Sequence, residues 1–217
     1  MPSRIKLIIF DAGGVLYEEI DEDLLTKTVL DFLRRHGVDK SLDEIEKSWE
    51  RYEKLGKVGK MKYEDVKKMW LKEMGLLKFS KEWDKEEIGL WLATKMKKGV
   101  NRVLKKLREN YKLAVLSDSI MSCEEKRYVM ELVGIDTSLF DKIFTSNDIG
   151  YEKPHPKSYE TVLHHFSVKP EEAVFVGHDK EELDGASRVG LTVVDVSEST
   201  LEEKLRFLLL NKSSDAN

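Results

Sequence analysis

Cysteine is all but missing. Cys123 stands alone in 217 residues, which excludes an internal disulfide and any multi-cysteine metal site. Long apolar runs are missing too: the chain has no uninterrupted stretch of about 18 apolar residues. Its N-terminus carries no signal-peptide pattern, so a soluble, cytoplasmic chain with no membrane partner is expected. Charge of one sign is also lacking. Lys and Arg number 37 against 41 Asp and Glu, a net charge of −4, and this balance gives no electrostatic reason to expect nucleic acid as a partner. Neither repeats nor low-complexity segments interrupt the chain before its tail, which is expected to fray from Lys212. What is there, 41% hydrophobic and 36% charged residues, is enough for one α/β domain plus a small insertion.

The apolar pattern changes character twice. Residues 5–10 read as a buried strand, and from about 20 to 96 the chain reads as helix throughout. Ile20, Leu24, Val29, Phe32 and Leu33 trace one apolar face, and Leu42, Ile45, Trp49 and Tyr52 a second. Val66, Met69 and Trp70 mark a third helix, and Ile88, Trp91 and Leu92 a fourth. Ser41 with Glu44 forms a capping box, and breaks are expected at Gly37, at Gly56 to Gly59 and at Gly75. All four tryptophans fall in this stretch and are assigned to its core.

Beyond Gly99, strands at 113–116, 143–144, 173–176 and 192–194 alternate with helices, one opened by Pro156 and the last capped by Ser199 and Glu202. Such alternation argues for a parallel sheet with helices on both faces. The helical stretch is far longer than one crossover requires. It is therefore read as a cap, residues 17–96, inserted into a core made of residues 1–16 and 97–217.

The chemistry-bearing residues sit at the ends of the expected strands. The first strand closes on Asp11, followed by Ala12-Gly13-Gly14, where glycine lets the backbone turn tightly and approach a ligand. The second is followed by Ser117-Asp118-Ser119 and the third by a segment ending in Lys153-Pro154. The fourth is followed by Gly177-His178-Asp179 and the acidic run to Asp184. Each alone reads as a turn or a cap. Together they form an ordered set of carboxylate, hydroxyl, ammonium and carboxylate, in the crevice where open α/β sheets bind ligands.

In this order the chain resembles the haloacid dehalogenase-like hydrolases, in the subgroup with a helical cap between the first and second motifs. The resemblance runs from Ile5 to about Leu210. It implies a Rossmann-like core with a mobile helical cap, Asp11 as nucleophile, Ser117 and Lys153 as groups that stabilise charge, and Mg2+ as cofactor. Asp11, the backbone carbonyl of Gly13 and Asp179 would hold the metal, while Gly14, Ser117, Asp118 and Lys153 would meet the phosphate. The chemistry is coherent. A carboxylate that attacks phosphorus splits one difficult hydrolysis into two easier steps, and cations must offset the repulsion between nucleophile and phosphate.

Several positions depart from the phosphatase pattern. Gly13 stands where many relatives carry a second aspartate as general acid and base, and Asp118 where many carry asparagine. In the fourth motif, counting forward from Val176 selects Asp179 as the metal ligand, whereas counting back from Gly185-Ala186 selects Glu182. His178 reads as a loop histidine, because magnesium prefers oxygen. The break from Gly56 to Lys60 reads either as a loop reaching the active site or as a solvated turn.

The reading reached is a magnesium-dependent phosphohydrolase acting on a small phosphorylated molecule through an aspartyl-phosphate. Two alternatives stay open. One is a metal-free 2-haloacid dehalogenase using the same aspartate, with Arg34, Arg35 or Arg51 to hold substrate. The other is a non-catalytic, ligand-binding relative.

Overall fold

The computed structural model describes residues 4–210; the expected frayed tail lies outside them. Five strands form one all-parallel sheet: β1 (Leu7–Phe10), β2 (Lys112–Ser117), β3 (Lys142–Thr145), β4 (Ala173–Gly177) and β5 (Thr192–Asp195). Their order is β3-β2-β1-β4-β5. Side chains of β1 alternate between faces as the pleat requires, yet all four are buried. Ile8 and Phe10 join one apolar cluster with Leu104, Val115 and Val176, while Leu7 and Ile9 join another with Leu116, Tyr159 and Phe175. A central parallel strand covered on both faces therefore reads as a continuous apolar run. Each such side chain contributes about 1.5–3 kcal/mol.

The helices are α1 (Glu22–Arg35), α2 (Leu42–Lys57), α3 (Tyr63–Glu73), α4 (Ser80–Ala93), α5 (Val100–Arg108), α6 (Cys123–Leu132), α7 (Ser146–Ile149), α8 (Pro156–Phe166), α9 (Lys180–Val189), α10 (Leu201–Lys204) and α11 (Arg206–Leu210). Their ends follow local chemistry. The Asp21 side chain accepts from the Leu24 amide to start α1, and the Ser41–Glu44 box starts α2. A second box, Ser122 with Glu125, starts α6, and Pro156 occupies the first turn of α8. The cap of α10 falls one residue later than the sequence suggests, on Thr200 with Glu203. Both boxes obey the same spacing, and only the geometry chooses between them.

Helices α1 to α4 gather around their own apolar cluster. Trp70 lies at its centre, edge-on to Trp49 (centroids 5.7 Å apart) and 5.1 Å from Trp83. Trp91 instead meets Tyr17 edge-on at 6.2 Å, on the border with the sheet-bearing part. The buried face of α4 runs through Trp83 and Leu90, two helical turns apart, which leaves Leu92 62% exposed. Met69 and Ile88 also stay exposed on their helices.

Gly56 lies inside α2, and the break comes at Gly59, whose φ is +69°. A Cβ there would lie 2.3 Å from the Asn147 carbonyl oxygen, so only glycine permits this approach. Asn147 in turn donates to the carbonyls of Gly56 (2.7 Å) and Met61 (3.0 Å), and the break docks on α7 rather than standing in solvent. The two connections to the helical insertion run side by side: Lys97 N–H donates to Leu16 O at 3.0 Å, and Glu18 N–H to Lys95 O at 2.9 Å. Among the described residues no helix is long and apolar enough to cross a membrane.

Candidate active site

Because all strands are parallel, their carboxyl ends share one edge. The chain moves from β1 to β2 and β3 on one side, then returns to β4 and β5 on the other. The topological switch point thus falls between β1 and β4, where open α/β sheets bind ligands. Asp11 follows β1 there, its amide bonded to Val176 O at 2.9 Å, and Gly177-His178-Asp179 closes β4 beside it.

A cavity of ≈ 410 Å³ opens at this point, lined by Asp11, Gly13, Glu19, Ser117, Asp118, Lys126, Lys153, His178, Asp179 and Glu182 among others. Five sequence segments far apart in the chain meet in it, Trp91 of α4 being one. Lys153 is the centre of the arrangement. Its ammonium, on a side chain only 1% exposed, lies 2.7 Å from Asp11 Oδ1 and 2.8 Å from Glu182 Oε2. Burial alone would favour the neutral amine, but the charges of Asp11, Asp118 and Glu182 hold its pKa above the ordinary lysine value.

The two carboxylates on that ammonium part company. Burial pushes Asp11 upward, yet the Lys153 charge and hydrogen bonds from His178, Lys153 and the Ala12 backbone bring it down to about 2. Glu182 is pushed up to about 7, by burial first; Lys153 opposes the rise and the Asp11 charge reinforces it. One group is an anion at any working pH and the other shares its proton near neutrality, the kind of separation that marks functional carboxylates.

Ser117, the buried last residue of β2, lines the cavity. Asp118 Oδ1 accepts from the Lys153 amide at 3.0 Å. That carboxylate therefore ties the loop after β2 to the loop that carries the lysine, and burial raises its pKa against the lowering effect of Lys153. Gly14 does not line the cavity. Its φ is +68°, and a Cβ on it would lie 2.3 Å from His178 Nε2, so the imidazole occupies the space that the missing side chain leaves.

His178 and Glu19 are what sequence reasoning missed. His178 Nε2 stands 3.5 Å from Asp11 Oδ2 and 3.9 Å from Glu19 Oε1. The Asp11 hydrogen bond, opposed by burial and aided by the charges of Asp11, Glu19 and Glu182, raises its pKa. The signal was its place directly after the Gly177 strand end. Glu19 stands out in the sequence only as an acid near Gly13 that the pattern does not place, and its side chain reaches back over Gly13.

Among the described residues, no three His, Cys, Asp or Glu side chains converge as a metal cluster. Oxygen donors at the cavity include the Asp11 carboxylate, whose Oδ1 accepts from Lys153, the Asp179 carboxylate, whose Oδ1 accepts from the Glu182 amide, and the backbone at Gly13; Glu182 Oε2 also accepts from Lys153. This set suits a hard ion that keeps several waters, and so fits magnesium. The three arginines weighed for a dehalogenase stand elsewhere. Arg35 pairs with Glu86 at 2.5 Å, Arg51 pairs with Glu73, Arg34 is exposed, and none lines this cavity.

A family profile for haloacid dehalogenase-like hydrolases matches residues 5–190, and the chain belongs to that family. Its all-parallel sheet flanked by helices is the family's Rossmann-like α/β fold. Among curated relatives, the glyceraldehyde 3-phosphate phosphatase of Pyrococcus furiosus is 26% identical over 201 residues, 88% of this chain and 80% of the relative. The enzyme of the same name from Methanothermobacter thermautotrophicus is 30% identical over 95 residues, which span 43% of this chain and only 41% of that relative. A 2-haloacid dehalogenase from Pseudomonas syringae superposes with a TM-score of 0.69 at 17% identity, covering 88% of this chain and 86% of the other. A family enzyme from Bacteroides thetaiotaomicron, solved as a magnesium complex, gives 0.69 at 19% identity, covering 89% and 93%. Both structures share the fold.

Proposed function

We propose that this protein is a magnesium-dependent phosphohydrolase that cleaves a small phosphomonoester, in the cytoplasm, through a phosphorylated Asp11. The observation that carries the reading is the Asp11–Lys153–Glu182 triad, which keeps Asp11 an anion while a buried ammonium supplies positive charge beside it. Relatives named as phosphatases support it, as does the absence of arginine from the cavity lining among the described residues.

In the first step Asp11 attacks phosphorus, the bond to the leaving oxygen breaks, and that oxygen takes a proton. In the second, water attacks the aspartyl-phosphate, releasing inorganic phosphate and restoring the carboxylate. Lys153 and the Ser117 hydroxyl hold the phosphoryl oxygens as charge builds on them. Asp11, the Gly13 carbonyl and Asp179 would hold magnesium, which would supply further neutralisation when bound. With glycine at position 13, the His178 imidazole, 3.5 Å from Asp11 Oδ2 and with its pKa raised, is the side chain from which the leaving oxygen draws its proton. Asp118 acts by positioning Lys153. Residues 17–96 act as the cap over a core of 1–16 and 97–217, and closure excludes water from the reacting groups.

A panel of phosphoesters assayed with and without magnesium, beside a panel of 2-haloacids, tests the reading. Magnesium-dependent phosphate release is expected, and it should vanish in Asp11→Asn. Halide release without metal, or no turnover of either class, would contradict it.

A further inference from the structure

Two lysines are buried among the described residues, and their surroundings differ. Lys153 has two carboxylates; Lys126, on α6 and 6% exposed, forms no ion pair with any described residue. Its ammonium instead stands 5.5 Å from the Tyr17 ring centroid and 6.0 Å from that of Trp91. Such ring contacts contribute about 0.5–2 kcal/mol. They leave the ammonium without an anionic partner among the described residues, and an arriving anion would supply one.

The location of Lys126 says where that anion belongs. Between the helical insertion and the sheet lies a second cavity of ≈ 470 Å³, walled largely by apolar side chains such as Trp49, Trp70 and Leu90. It meets the Asp11 cavity at four residues common to both linings: Ile20, Trp91, Asp118 and Lys126. Of the two charged groups at this junction, Asp118 is already turned to the Lys153 amide. Lys126 is left facing the passage. The adjoining cavity offers the leaving group of a phosphoester whose phosphorus sits over Asp11 a space of the size and polarity that takes a ring-sized organic body.

We infer that Lys126 is a specificity-determining residue that binds a second anionic group, a carboxylate or a second phosphate, on the leaving group of the substrate. The apolar part of that leaving group occupies the larger cavity. The inference rests on the phosphohydrolase reading for the word substrate, but the binding it asserts does not depend on turnover.

Calorimetric titration of the whole chain with the alcohol halves of model substrates tests it. The ligands are 4-hydroxyphenylacetate, 4-(phosphonomethyl)phenol and the neutral 4-methylphenol; the first two separate the carboxylate from the phosphate source. At low salt at least one of the anions should bind about tenfold or more tighter than 4-methylphenol. Lys126→Met, which keeps the side-chain length that packs on Tyr17 and Trp91, should erase that advantage, and Lys126→Arg should keep it. No advantage of either anion in the natural protein, or an advantage that persists in Lys126→Met, would overturn the inference. The phosphate esters of the same alcohols separate the two readings. Anion-selective binding with no hydrolysis of any ester in magnesium would overturn the phosphohydrolase reading and leave the Lys126 site standing.

Discussion

Asp11 and Glu182 are carboxylates on the same ammonium, yet their proton affinities lie on opposite sides of the ordinary range, about 2 against about 7. Asp11 has the stronger set of donors, since His178 and the Ala12 backbone add to Lys153. The depression of Asp11 has a consequence for stability. In the unfolded chain this group takes up its proton at its ordinary value of 3.8, but in the folded chain only near 2. Between those values the unfolded state binds more protons, so stability rises with pH across the window. Asp11 then contributes roughly 2 kcal/mol above pH 4, lost as the pH falls toward 2. Acid unfolding of the metal-free protein, kept in chelator, should be less steep between pH 4 and 2 in Asp11→Asn. An unchanged slope would show that Asp11 is not held ionised by this network.

At the scale of elements, the loop that opens α9 separates the two candidates for the metal. Asp179 is the N-cap of α9 and accepts from the Glu182 amide at 3.0 Å, while the Glu182 side chain turns inward to Lys153. Asparagine caps a helix as well as aspartate does, so Asp179→Asn removes the charge without unseating the helix. The variant should need about tenfold more magnesium for half-maximal activity, a loss of about 1.4 kcal/mol, with its melting temperature near that of the natural chain. Glu182→Gln should leave the magnesium requirement unchanged. The reverse pattern would assign the metal to Glu182.

These elements also show what the sequence reveals and what it hides. Strand β1 was legible because burial on both faces turns it into an unbroken apolar run, and the motif residues were legible because parallel strands end at one edge. The capping box of α2 and the proline of α8 were equally plain. Less so was the buried face of α4, where Leu90 and Leu92 are equally apolar and only the packing of Trp83 selects between them. The cap of α10 shifted by a residue for the same lack of local contrast. His178, Glu19 and Lys126 were hidden for a different reason. His178 shows in the sequence only as the residue after the Gly177 strand end and Glu19 only as an acid near Gly13, while the contacts that distinguish them and Lys126 are made by the fold.

On the scale of the whole molecule, the strand tips supply charge and the inserted helices supply an apolar chamber, joined at Trp91 and Lys126. The break at Gly59 is held on α7 by Asn147, and the twin connections at Leu16–Glu18 and Lys95–Lys97 tie the base of the insertion to the sheet. This division matches a hydrolase in which one part does the chemistry and the other selects what reaches it. Everything in that account depends on Asp11 forming a bond to phosphorus. Acid-quenching the enzyme during turnover of a phosphoester in magnesium, followed by peptide mass spectrometry, asks this directly. The account predicts one phosphoryl group on the peptide containing Asp11, absent in Asp11→Asn. Product formation with no phosphoryl group on that peptide, or with the group on another residue, would contradict it.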